Sequence, residues 1–427
     1  MRASPSVLLV AVVLLGCSAT ATSPTATSPT DASPPVLTPA RSAAPPASPS
    51  TEPDPTIQPT PEAIVKSLWW GEPMAVEGHV IFPEDAFASG PGTFVTVANT
   101  EIRFSADGIH WDLVESPVTE HEYLHLTDVV VGPLGVVAVG SEGVVAADNS
   151  TIGSNAVVLL SRDGRAWERI DDSAFVDGEM EMAGATREGF VVFGQDFDGN
   201  GVIWTSPDGR AWLRATNESG LKVAAGLRSL IPADDDLIAI VGPSGNRSTT
   251  ASEFEVWRTD GRAEWDLVGR LVGGDRWGPL IGASGGGRSI VVGPTRAWTS
   301  TDGMNWAVGV PPGIAIHDVA AYVGGYIAVG GSWPADTCGG DASWAGYTWT
   351  SIDGRTWDQH RTIEGATISR LVHLGGTVLG LGMADGAEQG IVGVAWTSDL
   401  PESLDGPVPS PGPTPSRAPR PSSVGCG

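Results

Sequence analysis

The stretch Ser206-Pro207-Asp208-Gly209-Arg210-Ala211-Trp212 decides the fold, because the chain writes it six times. The other copies are Ser105 to Trp111 around Asp107, Ser161 to Trp167 around Asp163, Arg258 to Trp265 around Asp260, Ser300 to Trp306 around Asp302, and Ser351 to Trp357 around Asp353. From Trp to Trp the steps are 41 to 56 residues. In each copy Asp-Gly makes a tight turn: Gly takes positive φ freely, and the Asp side chain accepts turn N–H groups. The Trp then starts a strand.

Working outward, an apolar alternating run precedes each phrase: Thr93 to Ala98, Val136 to Gly140, Phe190 to Gly194, Leu237 to Gly242, Ile290 to Gly293 and Tyr326 to Gly330. A second strand links run to phrase, as in Val202 to Ser206 and Tyr347 to Ser351. A seventh pair, Thr377 to Gly382 and Val394 to Ser398, lacks the Trp strand. A further aromatic stands two residues before the Ser position at Trp204, Trp298, Trp349 and Trp396, so most of the 16 tryptophans serve the repeat. About four short strands per repeat of this length read as a propeller blade. The expected fold is all-β: a seven-bladed β-propeller built on Asp-Gly hairpins. The apolar segment Ile64 to Trp70 has no partner of its own. It is expected to supply the missing outer strand and close the ring, hiding an otherwise open edge. Six blades with a decayed seventh is the alternative.

The phrase resembles the Asp-box, or BNR repeat, of bacterial sialidases and many exported propellers. The resemblance covers roughly Leu68 to Asp399. The usual box has one more residue between Asp and Trp than most copies here; the fourth has that spacing, with Arg258 in place of Ser. The resemblance implies a sialidase-like propeller scaffold. Sialidase activity would need an arginine cluster, a Tyr–Glu nucleophile pair and an acidic proton donor. The family's early Arg-Ile-Pro phrase is missing, and of four tyrosines Tyr326 and Tyr347 fall in strand repeats.

Outside the repeat the chain divides at 1–17, 18–62, 63–406 and 407–427. Val7 to Leu15 is an apolar run too short to span a bilayer and reads as a signal-peptide core. Leu14-Leu15-Gly16-Cys17 follows and resembles the bacterial lipobox, which makes Cys17 the lipidation site. The expected location is extracytoplasmic, lipid-anchored to the outer face of the cell membrane. Ser18 to Glu62 holds twelve prolines among Ser, Thr and Ala. Such a stretch buries no core and reads as an extended, disordered stalk of up to ~140 Å. The Pro-rich tail 407–427 reads likewise as disordered. With Cys17 lipidated, Cys338 and Cys426 remain for one possible disulfide in an oxidising compartment.

Net charge is −26, with only Lys66 and Lys222 as lysines. No basic stripe exists, which excludes nucleic acid as a partner. The charge also disfavours anionic lipid beyond the anchor itself, and a monomer is expected. Residues present in every blade serve what all blades share, so Arg165, Arg210, Arg262 and Arg355 are scaffold. Function belongs to unequal loops on the regular frame. These are Ser141 to Asn155, Gln195 to Gly201, Pro243 to Glu253, Gly331 to Gly346 and Met383 to Gly390. Gly331 to Gly346 carries Trp333, Asp336, Asp341 and Trp344, a set suited to stacking on sugar rings and binding their hydroxyls. Asp196, Asp198 and Asn200 copy the first half of a calcium loop, the one metal candidate. His121-Glu122-Tyr123-Leu124-His125 spells a zinc-protease phrase but stands between Pro117 and a strand at Asp128 to Val131, with no room for the helix that chemistry needs. Lone histidines such as His317 and His373 read as scaffold. No catalytic set and no required cofactor emerge. The expected function is a non-catalytic, surface-anchored module binding a protein or a glycan; the alternative is a sialidase-like glycoside hydrolase with a diverged site.

Overall fold

The computed structural model describes residues 70–399 except 84, 91, 119–123, 146–150, 216–217, 225, 243–252, 262–263, 274–279, 314, 323, 333–344, 375–376 and 387–389. It contains seven four-stranded antiparallel sheets, each a meander. Six are continuous in sequence: Ala86–Val114, Leu124–Ile170, Gly178–Arg214, Leu227–Val272, Ile281–Gly309 and Ile316–Glu364. The seventh combines Ala366–Leu374, Thr377–Gly386 and Gly390–Asp399 with the N-terminal strand Met74–Ala75. This is a seven-bladed propeller closed by an N-terminal strand, and the six-blade alternative falls.

Two details of the expected ring shift. The closing strand is Met74–Ala75, paired with Ala395 and Val394; of the expected segment Ile64 to Trp70, 64–69 lie outside the described residues and Trp70 precedes the strand. Trp70 instead buries its ring in the core between blades 6 and 7, just before Gly71 N–H bonds the Thr397 carbonyl. The apolar runs preceding each phrase are second strands, as Phe190–Ser206 pairing shows for blade 3. The innermost strand is one step earlier, for example Gly178–Thr186.

The repeated phrase is a hydrogen-bonded turn. Gly209 N–H donates to Ser206 Oγ at 2.8 Å, and Ser206 Oγ donates to Asp208 Oδ1 at 3.3 Å. The N–H groups of Arg210 and Ala211 then donate to Asp208 Oδ1 at 2.8 and 2.9 Å. Trp212 Nε1 closes the turn on the Gly209 carbonyl at 3.0 Å. Trp111, Trp167 and Trp306 make the same indole bond to Gly108, Gly164 and Gly303. In the fourth copy the hydroxyl is Thr259, not the position of Arg258: Gly261 N–H donates to Thr259 Oγ1 at 3.3 Å. Thr259 to Trp265 then has the same length as Ser206 to Trp212, with Asp260-Gly261 one place early.

These turns also join blades. Gly164 and Gly209 hold φ of 80° and 74°, and a Cβ on either would meet the preceding blade, at Val95 and Leu160, 2.8 and 2.9 Å away. The Arg165 guanidinium lies 4.2 Å over the Phe104 ring of blade 1, and Arg210 pairs with Glu168 of blade 2. Between blades run apolar seams. Trp204, Trp298 and Trp396 are fully buried there, each worth roughly 1.5–3 kcal/mol by the usual scale for a large apolar side chain.

Candidate functional site

The two faces of the propeller do different work. In blade 3 the repeated turn follows Ser206, which pairs with Phe190, which pairs with Ala185 near the end of the inner strand. The hairpin between second and third strands lies beside Gly178, at the start of that strand. Scaffold turns and unequal hairpins therefore sit on opposite faces, and the entrance to the central funnel on the hairpin face is the candidate site.

At that entrance five of the seven inner strands carry a β-bulge. The extra residues are Thr127, Glu181, Arg228, His317 and Ser369, in blades 2, 3, 4, 6 and 7. A bulge re-aims a side chain and leaves ladder groups to be met otherwise. In blade 2, Thr127 Oγ1 donates to the Met180 carbonyl of blade 3 at 2.7 Å. The following Asp128 accepts the Val129 N–H on Oδ1 and the Ala183 N–H of blade 3 on Oδ2, both at 2.8 Å. Blade 6 repeats this. His317 Nδ1 lies 2.9 Å from the Ile368 carbonyl of blade 7, and Asp318 accepts the Val319 and Leu371 N–H groups at 2.8 Å. Met180 and Ile368 each stand immediately before the next blade's bulge residue.

Blade 7 uses a cation at the same place. Arg370 is buried and donates to the Pro83 and Asp85 carbonyls of the segment leading into blade 1, at 2.6 and 2.7 Å. Burial pushes the Asp318 carboxyl up, and the Arg370 charge opposes that shift. Nearby, His79 lies 3.9 Å from Asp85 and 3.1 Å from Thr96 Oγ1, with its ring against Trp111. Burial, reinforced by Arg103, pushes its imidazole down to about 4, while Glu101 acts in the opposite sense.

Blades 3 and 4 break the pattern. Their bulge residues are Glu181 and Arg228, both exposed on innermost strands. Neither is bonded to a described residue, and they do not pair with each other. Burial of its neighbourhood, with the charge of Glu179, pushes the Glu181 carboxyl up. Glu179 is oriented by Gln195, whose Nε2 donates to Oε2 at 3.1 Å. Met182 and Ser229 take the positions held by Asp128 and Asp318. Deeper in, the strands carry small side chains: Ala88, Ala183, Gly184, Ala283 and Ala321.

None of these residues stood among the sequence candidates except His317, read as scaffold and placed here in an inter-blade bond. Trp333, Asp336, Asp341 and Trp344 lie outside the described residues, as do Cys17, Cys338 and Cys426. Ser141 to Asn155 is no loop at its ends: the strands Gly135–Val145 and Thr151–Ser161 extend the hairpin outward, with Glu142 paired to Arg169 at 2.8 Å. In the calcium-like segment, Asp196 Oδ1 accepts the N–H groups of Asp198 and Asn200 at 3.1 and 2.8 Å. Asn200 Nδ2 reaches both carboxylate oxygens, at 3.1 and 3.0 Å. That carboxylate shapes a hairpin tip. His125 sits in the strand Leu124–Gly132, so the phrase around it does not lie on one helix. Among the described residues, no group of three or more His, Cys, Asp and Glu side chains is arranged to hold a metal.

No family model and no curated protein matches this chain. Solved structures do. A protein of unknown function from Dyadobacter fermentans is 11% identical with a TM-score of 0.38, covering 78% of this chain and 100% of its own. The endosialidase of phage phi92 is 8% identical with a TM-score of 0.43, covering 79% of this chain and 70% of its own. PorZ, a surface component of the type-IX secretion system of Porphyromonas gingivalis, is 8% identical with a TM-score of 0.28, covering 76% of this chain and 45% of its own. None of these likenesses bears on what this chain does.

Proposed function

We propose that this chain is an exported lipoprotein, held at the outer face of the membrane through Cys17, whose Asp-box propeller binds a protein or a glycan without transforming it. One observation supports the non-catalytic part most. The funnel carboxylates Asp128 and Asp318 are each committed to two backbone N–H groups, one of them in the next blade. A carboxylate so engaged is not free to act as a general acid or nucleophile; glycoside hydrolysis needs two that are, and at this entrance Gln195 holds Glu179, which leaves Glu181 alone unengaged among the described residues. The membrane, through the anchor, is the one lipid contact in this reading, and the propeller acts as a monomer without a cofactor.

Two measurements test it. A panel of chromogenic glycosides is expected to show no turnover above background. Turnover that disappears in the Glu181→Gln protein makes the chain a diverged sialidase-like hydrolase instead. For the anchor, protein made in a bacterial host that lipidates lipobox cysteines is expected in the detergent phase on partitioning. The Cys17→Ala protein is expected in the aqueous phase. Wild-type protein found only in the aqueous phase overturns the anchor.

A further inference from the structure

Three places could hold a ligand or partner. The exposed apolar side chains Leu213, Leu267 and Val308 lie along the outer strands of blades 3, 4 and 5, but nothing in the structure indicates what would cover them. Tyr322 has a buried hydroxyl and its ring stands edge-on to His373 at 5.8 Å between blades 6 and 7, which is packing of the blade seam. The third place is the funnel entrance over blades 3 and 4, and there the bulges give an internal control.

Thr127 and His317 show what a bulge side chain does when it serves the scaffold. It meets the carbonyl that precedes the next blade's bulge, and an Asp beside it captures an N–H of the same strand. Glu181 and Arg228 occupy the same position in consecutive blades and do neither. An ionised carboxylate has no proton for the next blade's carbonyl, and Met182 has no acceptor for its N–H. Each bulge stands at the hairpin-face end of its innermost strand, at the funnel mouth, where the Arg228 stem passes Gly242 beside the second strand. Both are exposed. They carry opposite charges on adjacent strands at one level, yet they stay apart.

We infer that Glu181 and Arg228 form the two ends of a binding site for a small zwitterionic solute, one carrying an ammonium and a carboxylate as a free amino acid does. The ammonium lies between Glu181 and Glu179, relieving the repulsion of two neighbouring carboxylates. Gln195 holds Glu179 in place for this. The carboxylate meets Arg228, whose planar fork suits bidentate contact. The solute bridges what the protein leaves unbridged.

The inference rests on the propeller's acting as a binding module, and it concerns one site of that module. The test is calorimetric titration of the soluble propeller, lacking the lipid, with a panel of free amino acids. Each is matched by its amide, which lacks the carboxylate, and its N-acetyl form, which lacks the ammonium. Binding of at least one amino acid is expected, with at least tenfold weaker binding of both derivatives. Glu181→Gln and Arg228→Ala are each expected to weaken it at least tenfold while leaving the unfolding midpoint unchanged. Glu168→Gln, on the outer strand of blade 2, is expected to change nothing. Binding of no amino acid overturns the inference and leaves the module's larger partner open. Equal binding of amide or N-acetyl form, or full binding by both variants, overturns it too. A bound amino acid that is chemically consumed upholds the site and overturns the non-catalytic reading.

Discussion

The junctions between blades 2 and 3 and between blades 6 and 7 share a bulge with the junctions between blades 3 and 4 and between 4 and 5, but not a function. In the first two, a donor and an Asp tie one inner strand to the next. In the others the same geometry holds Glu181 and Arg228 out to solvent, and apolar contact does the joining. Met182 stands in the position of Asp128 and packs with Leu230 and Leu237 across the seam. The difference teaches that the bulge is a mounting point. What is mounted decides whether it closes the ring or faces a ligand. The latched junctions flank the ring closure, 6/7 just before it and 2/3 two junctions after it; the unlatched ones are consecutive and lie across the ring from it.

The strongest way to break that comparison is at Arg370, the latch of the closing junction. It joins parts of the chain 285 and 287 residues apart, so it holds the ring and not merely a neighbour. Arg370→Ala orphans the Pro83 and Asp85 carbonyls and leaves Asp318 without its nearby cation. Removing one member of a buried charged set costs about 3–5 kcal/mol. Equilibrium urea unfolding is expected to show that loss. A change below ~1 kcal/mol would mean that Met74–Ala75 and the apolar seam close the ring unaided.

His79 tests the same junction through pH. Its imidazole is pushed down to about 4 from an ordinary 6.5. As pH falls below 6.5 the unfolded chain takes the proton first, so stability falls between pH 6.5 and about 4 and levels off below. A gap of that size corresponds to about 3 kcal/mol. His79→Gln removes the titration. The difference in unfolding free energy between wild type and variant is expected to slope across that window and be flat above pH 7. A flat difference throughout would show the ring to be accessible to protons in the folded state.

Asp128 separates latched from unlatched junctions directly. Asp128→Ala strips acceptors from the Val129 and Ala183 N–H groups, both inside the ring. Leaving buried donors unmet costs about 1–3 kcal/mol. Hydrogen exchange is expected to speed up at Ala183 and not at Leu371, whose acceptor Asp318 is untouched. Equal acceleration at both would mean that the latches act on the ring as a whole.

The outer architecture was legible because it is written six times. A turn that needs Gly at positive φ, an Asp acceptor and a large aromatic admits few substitutes, so each copy looks like the last. The inner strands were not legible. Ala86–Gly90 and Ile281–Gly285 are five residues of mostly small side chains, without the alternation that marks a half-buried strand. The latches hid for a different reason: a polar pair reads as a break. Yet the signal existed. Thr127-Asp128 precedes Val129 to Val131, His317-Asp318 precedes Val319 to Ala321, and Ser369-Arg370 precedes Leu371-Val372. A polar residue and a charge, then an apolar run, at the same place in the repeat, marks the entrance of a latched inner strand. Reading Glu181-Met182-Ala183 and Arg228-Ser229-Leu230 against that pattern exposes the two places where it fails.

Those two places give the smallest expected effect, and it discriminates most sharply. Glu181→Gln and Arg228→Ala break no hydrogen bond or ion pair to a described residue, and Arg228 loses only the contact of its stem with Gly242, so each is expected within about ±0.5 kcal/mol of wild type in urea unfolding. Glu181→Gln is expected to gain slightly, since it removes a carboxylate that burial and the charge of Glu179 already disfavour. A loss of 1 kcal/mol or more at either position would make that residue a scaffold latch of another kind, and the division of the ring into a fastened part and a displaying part would dissolve. Stability unmoved by both changes leaves two opposite charges at the funnel mouth that folding does not require, which is the condition a ligand site must meet.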